Sequence, residues 1–261
     1  MNVSGNTQEA QNKITFAGHA TVLVEMDGVT LLTDPLLRKR AAHLARLVAV
    51  PDYSAWDVDA ILISHMHWDH LDFPTLRAFG YDMPLIVPKG AAKLLKKKGF
   101  KYIEEIVPDQ TVQLNGVKII ATPANHSNTR VPMSKHKGDS MGFIIDGSDE
   151  IYFAGDTDLF PEMENIGTDI DVALIPVWGY GPTIGSGHLD PYRAAKALEH
   201  LTPTIAIPIH WGTYVPIGMV WMQLSFMKTP PRSFAKHASI IAPNVEVKIL
   251  EPGDSFQFKH L

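Results

Sequence analysis

VDAILISHMHWDH, residues 58–70, changes character halfway along. Its first half is an apolar run of strand length, and its second half gathers three of the chain's twelve histidines and an aspartate into seven positions. In an extended segment side chains alternate, so His65, His67 and Asp69 share one side. His70 follows where the pattern turns helical, which aims it at a second point nearby. This spacing suits two adjacent cations better than one, and differs from the helical His-Glu-x-x-His arrangement. A buried strand that runs straight into potential ligands also argues for an α/β fold, in which ligand sites form beyond the carboxyl ends of strands.

The same question asked of the other apolar runs gives the same answer. IIATPAN leads to His126, IYFAG to Asp156, IAIPI to His210 and TLLT to Asp34. Strands from distant parts of the chain thus end in side chains that hold metals or support those that do. Between them, Asp27-Gly28 and Asn115-Gly116 mark tight hairpins. LRAFG and AAKLLKKKGF read as helices ended by glycine, and Asp190-Pro191 is an N-cap followed by proline at the first helical position. RKRAAHLARL (38–47) has a helical pattern, and NVEVKIL with SFQF reads as a closing hairpin. Hairpin strands mixed with strand-helix units imply mixed sheets covered by helices, in one domain over residues 14–261 after a flexible tail over 1–13.

Composition narrows the chemistry. The 261 residues are 45% hydrophobic with mean hydropathy near zero, enough for a substantial core in a soluble chain. There is no cysteine, so disulfides, thiolate metal sites and cysteine nucleophiles are excluded, and any metal is held by nitrogen and oxygen. A net charge of −5 argues against a nucleic-acid partner, and no run is long enough for an integral membrane segment. The start lacks the apolar core of a signal peptide, so a cytoplasmic location is expected.

With its later elements, TPANHS, AGDTD and IPIHWGTY, the SHMHWDH motif resembles the metallo-β-lactamase superfamily over about residues 14–258. FAGHATVLVEMDGVTLLTDP and the ending at His210 look most like the branch that contains ascorbate-6-phosphate lactonase and N-acyl-phosphatidylethanolamine phospholipase D. The resemblance implies a four-layer αββα sandwich with a dinuclear site at one edge. It puts His65, His67 and His126 on one divalent ion, Asp69, His70 and His210 on the other, and Asp156 between them. Asp34 would support the ligand loop from behind. Zinc is the first choice of metal, with manganese or iron as alternatives.

These expectations amount to a hydrolase in which a metal-bound hydroxide cleaves a phosphoester, phosphodiester or lactone of small size. Asp69 or His188 would handle the proton. His188, on the glycine-rich loop GPTIGSGHLDP, is also a candidate substrate contact, as are His19 and, for an anion, Arg38 and Arg40. His43, His136, His200, His237 and His260 read as surface or packing residues. The methionine- and aromatic-rich stretch 215–227 reads as core, pocket lining or a homo-oligomer interface. Rival readings are a redox di-iron protein and a non-catalytic metal-binding protein.

Overall fold

The computed structural model describes residues 11–127, 138–167, 169–222, 224–259 and 261. Most of the expected tail, and also His136 and His260, lie outside these residues; the first strand begins at Asn12.

The chain opens with an antiparallel meander, β1 (Asn12–Gly18), β2 (Thr21–Met26) and β3 (Val29–Thr33). The turn at Asp27-Gly28 has positive φ at both residues, as a two-residue hairpin requires. Two short strands, β4 (Arg40–Ala41) and β5 (Leu44–Arg46), precede β6 (Ala60–Leu62), which lies parallel to β3 and delivers the SHMHWDH loop. Then come α1 (Phe73–Ala78), β7 (Leu85–Pro88), α2 (Ala92–Lys97) and β8 (Ile103–Ile106). The second half mirrors the first. β9 (Thr111–Leu114), β10 (Val117–Pro123), β11 (Met141–Asp146) and β12 (Glu150–Phe153) run antiparallel. β13 (Val172–Pro176), α3 (Pro191–Leu201) and β14 (Ile205–Ile209) then continue the sheet in parallel. β15 (Tyr214–Pro216), α4 (Thr229–Ile241), β16 (Glu246–Val247) and β17 (Ser255–Phe258) finish the chain.

The two large sheets have the strand orders β17-β1-β2-β3-β6-β7-β8 and β16-β14-β13-β12-β11-β10-β9. Alternation along each strand divides the side chains between layers. Val22, Val24, Leu31 and Leu62 enter the core shared by both sheets, while Leu23, Leu32 and Ile61 pack outward with Leu76 and Leu95 of α1 and α2. On the far side, Ala194 and Leu198 of α3 and Phe234 of α4 cover the second sheet. This is the αββα sandwich.

Two local expectations are corrected, and one left open is narrowed. Residues 38–47 form a hairpin instead of a helix: β4 pairs β5, β5 pairs β15, and Ala42 turns the corner with φ of 47°. Leu37, Ala41 and Leu44 do recur at helical spacing, but Ala41 and Leu44 are strand residues, buried with Leu36 and Tyr214. The closing strands do not pair with each other, since β16 joins β14 and β17 joins β1, one in each sheet. Finally, the stretch 215–227 is not core throughout. Val215 is buried, but Ile217, Val220 and Met222 are exposed and Trp221 is 81% exposed.

Candidate metal centre

Each ligand candidate sits at the end of a strand or in a loop that one strand launches. β6 ends at Leu62 and the chain continues without regular secondary structure through Ser64 to His67 before the turn that carries Asp69 and His70. Gly155, with φ of 61°, precedes Asp156; a Cβ there would lie 2.7 Å from Ser64 Cβ, so only glycine lets the end of β12 approach the histidine loop this closely. His19 and His210 both adopt left-handed backbone, φ 57° and 62°. For residues with a Cβ this costs on the order of 1–2 kcal/mol each. The two are tied together: the His210 amide donates to the His19 carbonyl at 2.7 Å, and the His19 amide donates to Thr213 Oγ1 at 2.7 Å.

The side chains converge as two donor sets. His65 Nε2 and His126 Nε2 lie 2.9 and 3.1 Å from His67 Nδ1. Beside them, Asp69, His70 and His210 form a second buried group, joined by His19. Asp156 stands between. Its Oδ2 is 3.1 Å from His70 Nε2 and 4.0 Å from both His65 Nε2 and His126 Nε2, while Oδ1 is 3.2 Å from His210 Nε2. Oδ1 nevertheless makes no hydrogen bond, although it is buried. A buried carboxylate oxygen left open costs free energy unless a cation meets it, and three imidazole nitrogens facing one another need a shared cation too. The residues therefore fit divalent metal ions of the nitrogen- and oxygen-binding kind.

The atoms behind the donors reinforce this fit. His126 Nδ1 donates to the Gly187 carbonyl at 2.6 Å and His210 Nδ1 to the Trp178 carbonyl at 2.9 Å. Asp34, fully buried, accepts from His70 Nδ1 at 2.8 Å and from the Ser64 amide and hydroxyl, while the Ser64 hydroxyl oxygen accepts from His65 Nδ1. One aspartate thereby orients a histidine of each donor set. Such contacts fix the tautomer and ring angle that a metal ligand needs.

Electrostatics follow the geometry. Burial holds His65, His126 and His210 below the ordinary histidine range and His67 at about 4, so these rings are neutral and can donate lone pairs. His70 goes the other way: burial opposes its charge, but Asp156, Asp69 and Asp34 more than offset that. Burial likewise disfavours the Asp69 and Asp156 carboxylates, and neighbouring histidines still hold both below the usual range. The pocket thus concentrates negative charge where a cation would sit.

Above the donors opens a cleft of about 350 Å³, lined by His67, Asp69, His126, Asp156, His188 and His210 and by loop residues. His188, 26% exposed at its side chain, has Nε2 3.4 Å from Asp156 Oδ2. Its charged form is favoured by that contact despite burial. His19 does not line the cleft; it is buried beneath, with Nε2 3.3 Å from Asp69 Oδ2 and its ring centroid 4.0 Å from that of His210. Arg38 is taken up by a two-pronged ion pair with Asp72, the N-cap of α1, at 2.7 and 2.9 Å, and exposed Arg40 lies on β4; neither lines the cleft. Tyr180 does line it, and no motif in the sequence pointed there. Burial and the nearby Asp69 and Asp156 push its phenol up to about 12.

Comparison with known proteins agrees with this architecture. Residues 30–211 match the model of the beta-lactamase superfamily domain. A UPF0173 metal-dependent hydrolase of Methanopyrus kandleri is 33% identical over 94% of this chain and 99% of its own length. Among solved structures, Igni18, a metallo hydrolase of Ignicoccus hospitalis, superposes with a TM-score of 0.73 at 27% identity, covering 96% of this chain and 99% of its own. CmlA, a diiron β-hydroxylase of Streptomyces venezuelae, has a TM-score of 0.70 at 17% identity, covering 96% of this chain and 54% of its own, a likeness of fold alone.

Proposed function

The chain belongs to the beta-lactamase superfamily, and from that premise we propose that it is a hydrolase of small phosphoesters, phosphodiesters or lactones, dependent on two divalent metal ions. The observation that carries the reading is Asp156, whose two oxygens face both histidine sets while one of them has no hydrogen bond. His65, His67 and His126 would hold one ion, Asp69, His70 and His210 the other, and Asp156 would touch both. Zinc suits these donors best, then manganese or iron. Such a pair supplies Lewis-acid polarisation of the scissile bond and lowers the pKa of water toward neutrality.

The chain's own residues divide the remaining work. Asp69 and Asp156, held ionised, balance the positive charge and keep the donor sets together. Hydrolysis joins the oxygen of water to a carbonyl carbon or phosphorus, breaks the bond to the leaving oxygen and delivers a proton to that oxygen. His188 is the suited donor, because it combines access to the cleft with a contact to Asp156 that favours its protonated form. Asp34 acts from behind by orienting His65 through Ser64 and His70 directly. A cleft of about 350 Å³ is at the small end of ligand sites, which favours a small molecule over a polymer. Relatives named as metal-dependent hydrolases favour this reading over a redox di-iron role.

The test is metal content measured alongside turnover on phosphodiesters and lactones. His65→Ala and Asp156→Ala are expected to lose bound metal and activity together. Full activity with unchanged metal stoichiometry in both variants would refute the assignment.

A further inference from the structure

We infer that one wall of the metal cleft is a binding subsite for a flat, uncharged, apolar group, so that the substrate is a small neutral ester or lactone bearing an aryl or similarly planar group. This rests on the hydrolase reading above and narrows it.

Two observations carry the inference. First, Trp68 and Tyr180 line the cleft with ring centroids 6.3 Å apart, and the exposed His43 ring packs on both, at 5.3 Å from Trp68 and 5.9 Å from Tyr180. These rings are not simply core. Trp68 and Tyr180 are the partly exposed fringe of a separate apolar cluster, Leu36 with Ala41, Leu44 and Tyr214 of the small β4-β5-β15 sheet. That cluster fixes the rings from behind and leaves their cleft side open. Gly179 and Gly181, on either side of Tyr180, and Gly185 also line the cleft without adding side chains to it, and Ile184 adds apolar surface.

Second, among the described residues no lysine or arginine lines the cleft. Of the cations of the nearby hairpin, Arg38 is engaged with Asp72 and Arg46 with the Ala17 and Leu36 carbonyls, and neither Lys39 nor Arg40 lines the cleft. Phosphate monoesters and substrates with a second anionic group are ordinarily held by such cations. Among the described residues the walls offer rings instead, and a planar apolar group gains by stacking on them and leaving water.

The reaction that follows is ordinary ester hydrolysis. Water's oxygen bonds to the carbonyl carbon, the ester C–O bond breaks and a proton passes to the leaving oxygen, giving a carboxylic acid and an alcohol, which for a lactone are the two ends of one hydroxy acid.

The test compares two lactones with similar alcohol leaving groups, isochroman-3-one, which carries a fused benzene ring, and δ-valerolactone, which does not. Metal-loaded full-length protein is expected to prefer the benzo-fused lactone by about tenfold in kcat/KM. In Trp68→Ala and in His43→Ala that ratio is expected to fall toward one through a raised KM for isochroman-3-one, and Trp68→Phe should restore most of it. Because Trp68 is flanked by His67 and Asp69, metal content is measured on every variant. General damage to the site lowers both rates together and leaves the ratio standing, which would overturn the subsite. A wild-type ratio near one, or better turnover of para-nitrophenyl phosphate than of either lactone, would also overturn it while the hydrolase reading stands. Hydrolysis of neither lactone, nor of para-nitrophenyl phosphate or bis(para-nitrophenyl) phosphate, by protein holding two metals would overturn both.

Discussion

His19 is the residue whose position departs most from its sequence reading. FAGHAT suggests a side chain near the site, and its role there depends on depth, which local sequence does not carry. The structure buries it under Asp69, out of reach of substrate, at the cost of a left-handed backbone. His19→Ala is therefore expected to weaken retention of one metal by about ten- to a hundredfold, as loss of an orienting contact does, while the other stays bound. Stepwise chelator titration followed by metal analysis reads this directly; unchanged retention of both ions would show that His19 is only packing. Asp34→Asn is expected to differ in kind. Asp34 serves His70 directly and His65 through Ser64, so both ions should be released at lower chelator concentration. The seven ligand candidates were legible because His65, His126, Asp156 and His210 each follow an apolar run of strand length and His67, Asp69 and His70 complete the motif that resembles the superfamily's. Tyr180 and His43 were not, because their meeting with Trp68 depends on three loops from distant parts of the chain.

At the scale of elements, strand ends carry the site and tight backbone carries the strand ends. Gly18, with φ of 109°, closes β1; a Cβ there would lie 2.7 Å from Thr213 Oγ1 and 2.9 Å from its Cγ2. Gly18→Ala is expected to destabilise the fold by about 1–3 kcal/mol and to shift His19, which the same threonine holds. Chemical denaturation checks the first effect, and metal retention like that of His19→Ala checks the second. The hairpins at Asp27-Gly28 and Asn115-Gly116 and the α3 cap at Asp190 follow from chemistry within a few residues, and so they were readable. The β4-β5 hairpin was not, because its apolar positions at 41, 44, 45 and 47 satisfy a helix equally well and only pairing with β15 decides between the two. Asp72 shows how such an element is anchored: it caps α1 through the Thr75 amide and binds Arg38 from the hairpin. Asp72→Ala should cost about 1–2 kcal/mol from the lost cap alone.

Across the whole molecule, the donor cluster makes stability depend on pH once metal is removed. His65, His67, His126 and His210 have folded-state pKa values below 6.5, the ordinary histidine value, with His67 at about 4. Between about 4 and 6.5 the unfolded chain therefore binds more protons at these residues than the folded one. Their contribution is fully present above 6.5 and is lost as the pH falls through this window. His70 and His188 are shifted upward, so their contribution is present below 6.5 and is lost above it, outside the window. Asp34, raised by burial, opposes the trend at its acid end, one group against four. Metal-free protein is accordingly expected to melt at progressively lower temperature as the pH is taken from 7 to 5. Metal-loaded protein should start from a higher melting temperature and hold it until the ligands protonate and release their ions. Thermal unfolding with and without chelator across this range measures both curves. A metal-free melting temperature that rises on acidification would mean that the histidines are charged in the folded state, and that the cluster is not a set of neutral donors awaiting a cation.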